Sequence, residues 1–352
     1  MNSPAEYCQD NPKIVLNCYL EGPNVANSGD VLISMNFNAP VNPVNHESLG
    51  NQIGTTYGLA HQRSSNSLFA GSFMKRFAGF GSGGPGAIYR VTSPTDGAAS
   101  GSLFVDLNTL FGSDVAGADP HDFTLTMGEY RDNPSINAAG RISFGDLDIS
   151  DDELSLYAVN LNDRSLYIIP LGTDPANPVA PTLPSQVTVV PLADIGTPLP
   201  NLPAGVNNDE IIPFGLKVKN GLVYIGFVGN GQSGGTMVAF AYSYDPVGGT
   251  FTKVLEFPLN YNRGCAFAST GTCFGPAKWN AWVTSYPASP AMYANFSSND
   301  EIGHPQPIFA DIEFDADGNM IIGMRDRWGE QGGYNALNEP SKSVLSSHDA
   351  FG

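Results

Sequence analysis

At 352 residues and 37.2 kDa, the chain is long enough for one large all-β domain or two ordinary ones. Lys and Arg total 16 against 34 Asp and Glu, and the resulting formal charge of −18 repels phosphate backbones and anionic headgroups, which excludes nucleic acid as a natural partner. No run of 18 apolar residues exists to span a membrane, and 40 Gly and 27 Pro beside 20 Phe and 14 Tyr suit many short strands separated by turns.

Met1-Asn2-Ser3-Pro4-Ala5 lacks the charged and apolar regions of a signal peptide, so the expectation is a mature or recombinant segment of a secreted protein. The four cysteines fall as two close pairs, Cys8 with Cys18 and Cys265 with Cys273. Such spacing suits two disulfide-closed loops in an oxidising compartment better than a metal site, since no C-x-x-C occurs.

Residues 14–20 and 31–37 read as two strands around the turn-rich stretch 21–30. A set of four follows at 57–62, 68–73, 87–91 and 102–107. The Gly-rich loop 79–86 within it is followed by neither a Lys-Ser/Thr pair nor a helix, so it reads as a wide hairpin and not a phosphate cradle. A second set lies at 144–149, 154–159, 165–169 and 186–190, and a third at 214–218, 222–227, 237–242 and 251–257. A fourth begins at 308–314, where Asp315-Ala316-Asp317-Gly318-Asn319 turns the chain into 320–324. The second strands superpose as Leu68-Phe69-Ala70-Gly71, Leu156-Tyr157-Ala158-Val159, Val223-Tyr224-Ile225-Gly226 and Met320-Ile321-Ile322-Gly323. Such internal repetition points to an all-β, β-propeller-like fold of four-stranded antiparallel blades, four to seven in number.

A single domain over 1–352 is expected. Its last blade, 308–352, is incomplete, and the strands within 1–45 are placed to close the ring and remove unpaired edges. The alternative is a polypeptide that continues past Gly352. Segments 111–141 and 259–307 are long enough to hide irregular or additional blades.

The residues Tyr57-Gly58-Leu59-Ala60-His61-Gln62-Arg63, Phe73-Met74-Lys75-Arg76-Phe77-Ala78-Gly79-Phe80-Gly81, Gly86-Ala87-Ile88-Tyr89, Phe214-Gly215-Leu216-Lys217-Val218, Arg263-Gly264-Cys265, Asp311-Ile312-Glu313-Phe314-Asp315 and Met324-Arg325-Asp326-Arg327 carry a family resemblance. Over roughly 57–352 the chain resembles the propeller-like region near the amino end of large bacterial surface or secreted proteins with serine-aspartate-repeat B-like or Cna-B-type domains. The resemblance implies an exposed module at the bacterial cell surface or outside the cell, with further strands beyond the carboxyl end. It brings no activity that transfers residue by residue.

Asp146 with Asp148 and Asp311 with Glu313 project from one face of their strands. If these strands are innermost, their carboxylates meet around the axis, where Ca2+ is the one cofactor considered. The preferred reading has them solvated or paired with Arg325 and Arg327. Asp315, Asp317 and Asn319 resemble half of a calcium loop but lack its closing acidic residue, so a hairpin turn explains them. Paired carboxylates alone say little for glycoside hydrolysis, and neither G-x-S-x-G nor H-E-x-x-H is present. His61, His121 and His304 are scattered and read as structural. Trp279 and Trp282 either stack on a ligand or fill space between blades, and burial is the preferred reading.

The expected function is therefore non-enzymatic binding or adhesion, with a protein or glycan ligand at the cell surface. A self-associating subunit of an extracellular fibre or sheath is the alternative, and a propeller hydrolase or lyase the second.

Overall fold

The computed structural model describes residues 12–38, 44–94, 101–124, 131–193, 199–263, 267–269, 272–274, 278–284, 294–295 and 302–332. They form the expected propeller-like, mostly β architecture of packed antiparallel sheets. The first sheet has three strands, β1 (Lys13–Asn17), β2 (Asp30–Asn36) and β3 (Asn45–Leu49), followed by a helical turn, α1 (Gly50–Ile53). Three four-stranded blades follow: β4 (Thr56–Gln62), β5 (Ser67–Ser72), β6 (Ala87–Thr92) and β7 (Gly101–Asp106); β8 (Phe144–Ile149), β9 (Ser155–Asn160), β10 (Ser165–Pro170) and β11 (Thr188–Pro191); and β12 (Ile211–Lys219), β13 (Leu222–Gly229), β14 (Val238–Asp245) and β15 (Thr250–Pro258). Two short hairpins, β16 (Phe267–Ser269) with β17 (Thr272–Phe274) and β18 (Ala294–Asn295) with β19 (Ile302–Gly303), precede a last pair, β20 (Pro307–Phe314) and β21 (Met320–Asp326). Short helices α2 (Leu107–Phe111), α3 (Ser135–Ala138) and α4 (Trp328–Gln331) lie between and after the blades.

Turn chemistry explains why the strands pair in this register. Lys219 pairs with Leu222 across Asn220-Gly221, both at positive φ, the two-residue reversal whose twist matches its flanking strands. At the β20–β21 turn Gly318 has φ +85, and Asp315 Oδ1 accepts from the Asp317 and Asn319 amides.

The first strands of successive blades pack side by side along a common axis. Each is interrupted at the same place by a bulge: between Thr56 and Leu59, Phe144 and Leu147, Pro213 and Leu216, and Phe309 and Asp311. Each bulge carries an aromatic residue followed by a small one: Tyr57-Gly58, Phe144-Gly145, Phe214-Gly215 and Phe309-Ala310. A Cβ on Gly58 would stand 2.6 Å from Gly145 O, one on Gly145 2.7 Å from Phe214 O, and one on Gly215 2.9 Å from Phe309 O. The bulge glycines are thus the points where neighbouring backbones touch.

Apolar clusters fill the spaces between sheets. Val31 and Leu32 meet Leu68, Tyr89 and Val91; Phe69, Ile88 and Val105 meet Leu147, Leu156 and Tyr167; and Val159 and Leu166 join Phe214, Ile225 and Phe240, against which Phe309 and Ile312 pack. The amino-terminal strands pair with β3 in a sheet of their own and not with β20 or β21. The two ends of the array nevertheless touch. Lys75 donates to Gly329 O, its ammonium lies over the Tyr19 ring, and the Tyr57 hydroxyl donates to Ala310 O at 3.3 Å. Among the described residues of 112–142 there is no strand; this segment, the cap, carries α3.

Gly145→Ala is expected to destabilise the fold by about 1–3 kcal/mol, because the facing atom is backbone and cannot rotate away. Urea unfolding would measure it. An unchanged midpoint would mean that the first strands do not approach as described.

Candidate functional site

The axis is the place where titratable groups from different blades converge. Asp146 and Asp148 project from β8, Lys217 from β12, and Asp311 and Glu313 from β20, because side chains two apart on a strand share a face. Their oxygens are mostly engaged. Asp146 accepts from Leu147 N at 2.9 Å and, across the blade boundary, from Leu216 N at 3.1 Å. Asp148 accepts from Ile149 N and from Val218 N, each at 2.8 Å. Asp151 continues the row by accepting from Gly221 N at 2.7 Å. Lys217 Nζ stands 2.8 Å from Glu313 and 3.7 Å from Asp148.

Burial, then the charge of Asp311, pushes the Asp146 carboxyl well above the usual carboxylate range. Asp148 is raised by burial, and Asp311 by burial and then Glu313. Burial alone would lower the Lys217 ammonium, but Asp148 and Glu313 raise it instead. The expected pairing of these carboxylates with Arg325 and Arg327 is not what the chain adopts. Arg325 pairs with Glu330 and lies over the Tyr57 ring, while Arg327 donates to the carbonyls of Ala139, Val283, Ile136 and Asn137 and to Gln306 Oε1.

The cap holds a second cluster. His121 Nδ1 lies 2.7 Å from Asp132 Oδ2 and 3.2 Å from Ser135 Oγ, and Ser135 also donates to Asp132 Oδ1 at 2.8 Å. This is not a nucleophile–base–acid relay, because serine and carboxylate meet the same ring nitrogen. Asp132 also accepts from the amides of Asp122, within the cap, and of Phe77, between β5 and β6, which ties the cap to the first four-stranded blade. Burial would raise the Asp132 carboxyl, but His121 and these amides hold it below its usual range. His121 Nδ1 thus joins a cluster that links Asp132 and Ser135 within the cap. His61 lies exposed on β4, and His304 is buried with Nε2 3.1 Å from Ala281 O.

Trp279 and Trp282 are buried, the packing reading of the two. Trp279 Nε1 donates to the Tyr261 hydroxyl and Trp282 Nε1 to Pro307 O, while the Trp282 ring contacts the guanidinium groups of both Arg141 and Arg327. Asp315 spends both carboxylate oxygens within its own turn, on the amides of Asp317 and Asn319 and on the Asn319 side chain. Among the described residues no group of three or more His, Cys, Asp or Glu is placed to hold a metal ion, the calcium candidates Asp146, Asp148, Asp311, Glu313, Asp315 and Asp317 included. Among the described residues Cys18 has no disulfide partner; its expected partner Cys8 and Cys265 lie outside the described residues, and of Cys273 only the backbone is described.

No known protein-family profile matches the chain. It is 31% identical to Colossin-A of Dictyostelium discoideum over 94% of its own length, which is 3% of that protein, and 30% identical to Colossin-D of the same organism over 92% of its length, 31% of that protein. The chain therefore spans a small part of the curated relatives it matches. Among solved structures, a putative 6-phosphogluconolactonase from Bacteroides uniformis is 12% identical with a TM-score of 0.33, covering 90% of this chain and 83% of that one. A periplasmic gluconolactonase from Pseudomonas aeruginosa is 11% identical with a TM-score of 0.35, covering 90% and 76%. Likenesses this loose carry no argument about chemistry. The resemblance to bacterial surface proteins with serine-aspartate-repeat B-like or Cna-B-type domains is corrected by these findings, since the relatives by sequence are colossins of a eukaryote.

Near the cap, Asp326 accepts from the amides of Gln306 and Trp328, and burial pushes its carboxyl up to about 6. The folded chain therefore binds the extra proton between about pH 4 and 6, and Asp326 makes folding less favourable as pH rises through that window. His304, pushed down to about 4 by burial, acts oppositely, its contribution being lost as pH falls from about 6.5. Asp326→Asn is expected to exceed the wild type in stability by up to about 3 kcal/mol at pH 7.5 and to match it near pH 4. Denaturant unfolding of both proteins at the two pH values reads the difference, and a gap independent of pH would refute the assignment.

Proposed function

We propose that this chain is a non-enzymatic binding module: a β-propeller whose axial carboxylates hold its blades together, with recognition left to the loops and cavities at its faces. The observation that carries this reading is the row Asp146, Asp148 and Asp151, which accepts from the amides of Leu216, Val218 and Gly221 on the next blade. Carboxylates used to satisfy a neighbouring strand are committed to structure. The much greater length of the colossins supports placing such a module within a longer polypeptide.

One observation favours hydrolysis as a second reading. The Asp146 carboxyl is raised by burial and by Asp311, as a proton donor's would be. A panel of ester, lactone and glycoside substrates, assayed with wild type and Asp146→Asn, separates the two. The binding reading expects no turnover that depends on Asp146, and a loss of about 1–3 kcal/mol in stability for Asp146→Ala, which strands the Leu216 amide. Wild-type turnover abolished in a folded Asp146→Asn would replace binding with hydrolysis.

A further inference from the structure

A cavity of about 530 Å3 opens between the second and third four-stranded blades, away from the acidic row. Its walls come from the cap, from the β9–β10 turn and from the segment leading into β12, and they bring Arg141, Arg164, Asn137, Asn162 and Asp209 together. Two guanidinium groups facing one cavity are conspicuous in a chain that carries a charge of −18.

Neither arginine is placed there by accident of a mobile surface. Arg141 lies over the Trp282 ring, 5.0 Å from its centroid, and is held by Gln232 Oε1. Arg164, at φ +55 in its hairpin, donates to Asn208 O at 2.6 Å. The fold therefore holds like charges near one another, and Arg327, against the same Trp282 ring, adds a third. The strain registers at Arg141: burial, then the charge of Arg164, push its guanidinium down to about 10, and its Nε is buried without a hydrogen-bond partner among the described residues. The carboxylate at the rim, Asp209, has Oδ2 engaged by the Ser233 hydroxyl at 3.0 Å.

We propose that this cavity binds a small hydroxylated oxyanion, its charged group held by Arg141 and Arg164 and its hydroxyls by Asn137 and by Asn162 Oδ1, the Asn162 amide nitrogen being taken up by Asp114 O and Val115 O. Guanidinium groups recognise carboxylate and phosphate oxygens through paired, charge-assisted hydrogen bonds. A cavity of this size suits a small molecule better than a macromolecular surface. The inference does not depend on whether the axis is catalytic.

Calorimetric titration at constant ionic strength tests it, with galacturonate as the carboxylate probe, inorganic phosphate as the phosphoryl probe and galactose as the neutral control. Saturable binding of either anion, with none of galactose, is expected, and the anion that binds more tightly identifies the charged group. Arg141→Gln should weaken binding about tenfold or more, and Asp209→Asn, which removes an exposed negative charge at the rim, should tighten it about two- to fivefold. Unfolding midpoints run in parallel guard against misfolded variants, and because Asp209 is exposed its substitution still tests the proposal if Arg141→Gln does not fold. The proposal is overturned if neither anion binds the folded wild type at millimolar concentration, or if affinity is indifferent to Asp209→Asn and to a folded Arg141→Gln.

Discussion

The first strand of every blade is an edge strand, and the architecture depends on how that edge is handled. A sheet edge presents unpaired amides and carbonyls that must find partners or remain in water. Here the edges face one another around the axis. The bulge glycines let neighbouring backbones touch, and the acidic row of β8 accepts from β12 amides that no β-ladder reaches. Close approach and carboxylate acceptance are two parts of one solution.

That solution leaves the axis electrostatically loaded. Asp146, Asp148, Asp311 and Glu313 share Lys217 as the ammonium among them, so burial and mutual repulsion raise Asp146, Asp148 and Asp311 together. Amide donors offset part of the cost of removing these groups from water. Burial and neighbouring charge raise these carboxyls whether or not they do chemistry, so a raised carboxyl does not by itself identify a catalyst.

The opposite charge collects in and beside the cap. Arg76 and Arg327 are fully buried and donate to backbone carbonyls, Arg76 to Arg131 and Gln331 and Arg327 to Ala139, Ile136 and Asn137. Guanidinium groups serve this role because their several fixed donors can satisfy many carbonyls at once. Arg141, packed on the same tryptophan as Arg327, has no such set among the described residues, which sets the neighbouring cavity apart from the structural arginines.

The blade strands were legible from sequence because alternation and turn chemistry are local: β8, β9 and β10 fall within a residue of their expected limits, and Asn220-Gly221 marks its hairpin. β3 escaped because Asn45-His46-Glu47-Ser48-Leu49 has no apolar period; its pairing with β2 and the burial of Glu47 against Ser34 at 2.6 Å make it a strand. The aromatic-Gly pairs were visible as letters, but their meaning required the facing backbone. Sequence could also place Asp146 and Asp148 on one face of a strand. It could not assign them partners 70 residues away, nor bring Arg141 beside Arg164, because those contacts exist only once blades pack. Local periodicity therefore determined the repeating sheets, whereas the long-range meeting of edges and loops decided which charged groups are buried against neighbouring strands and which line a cavity.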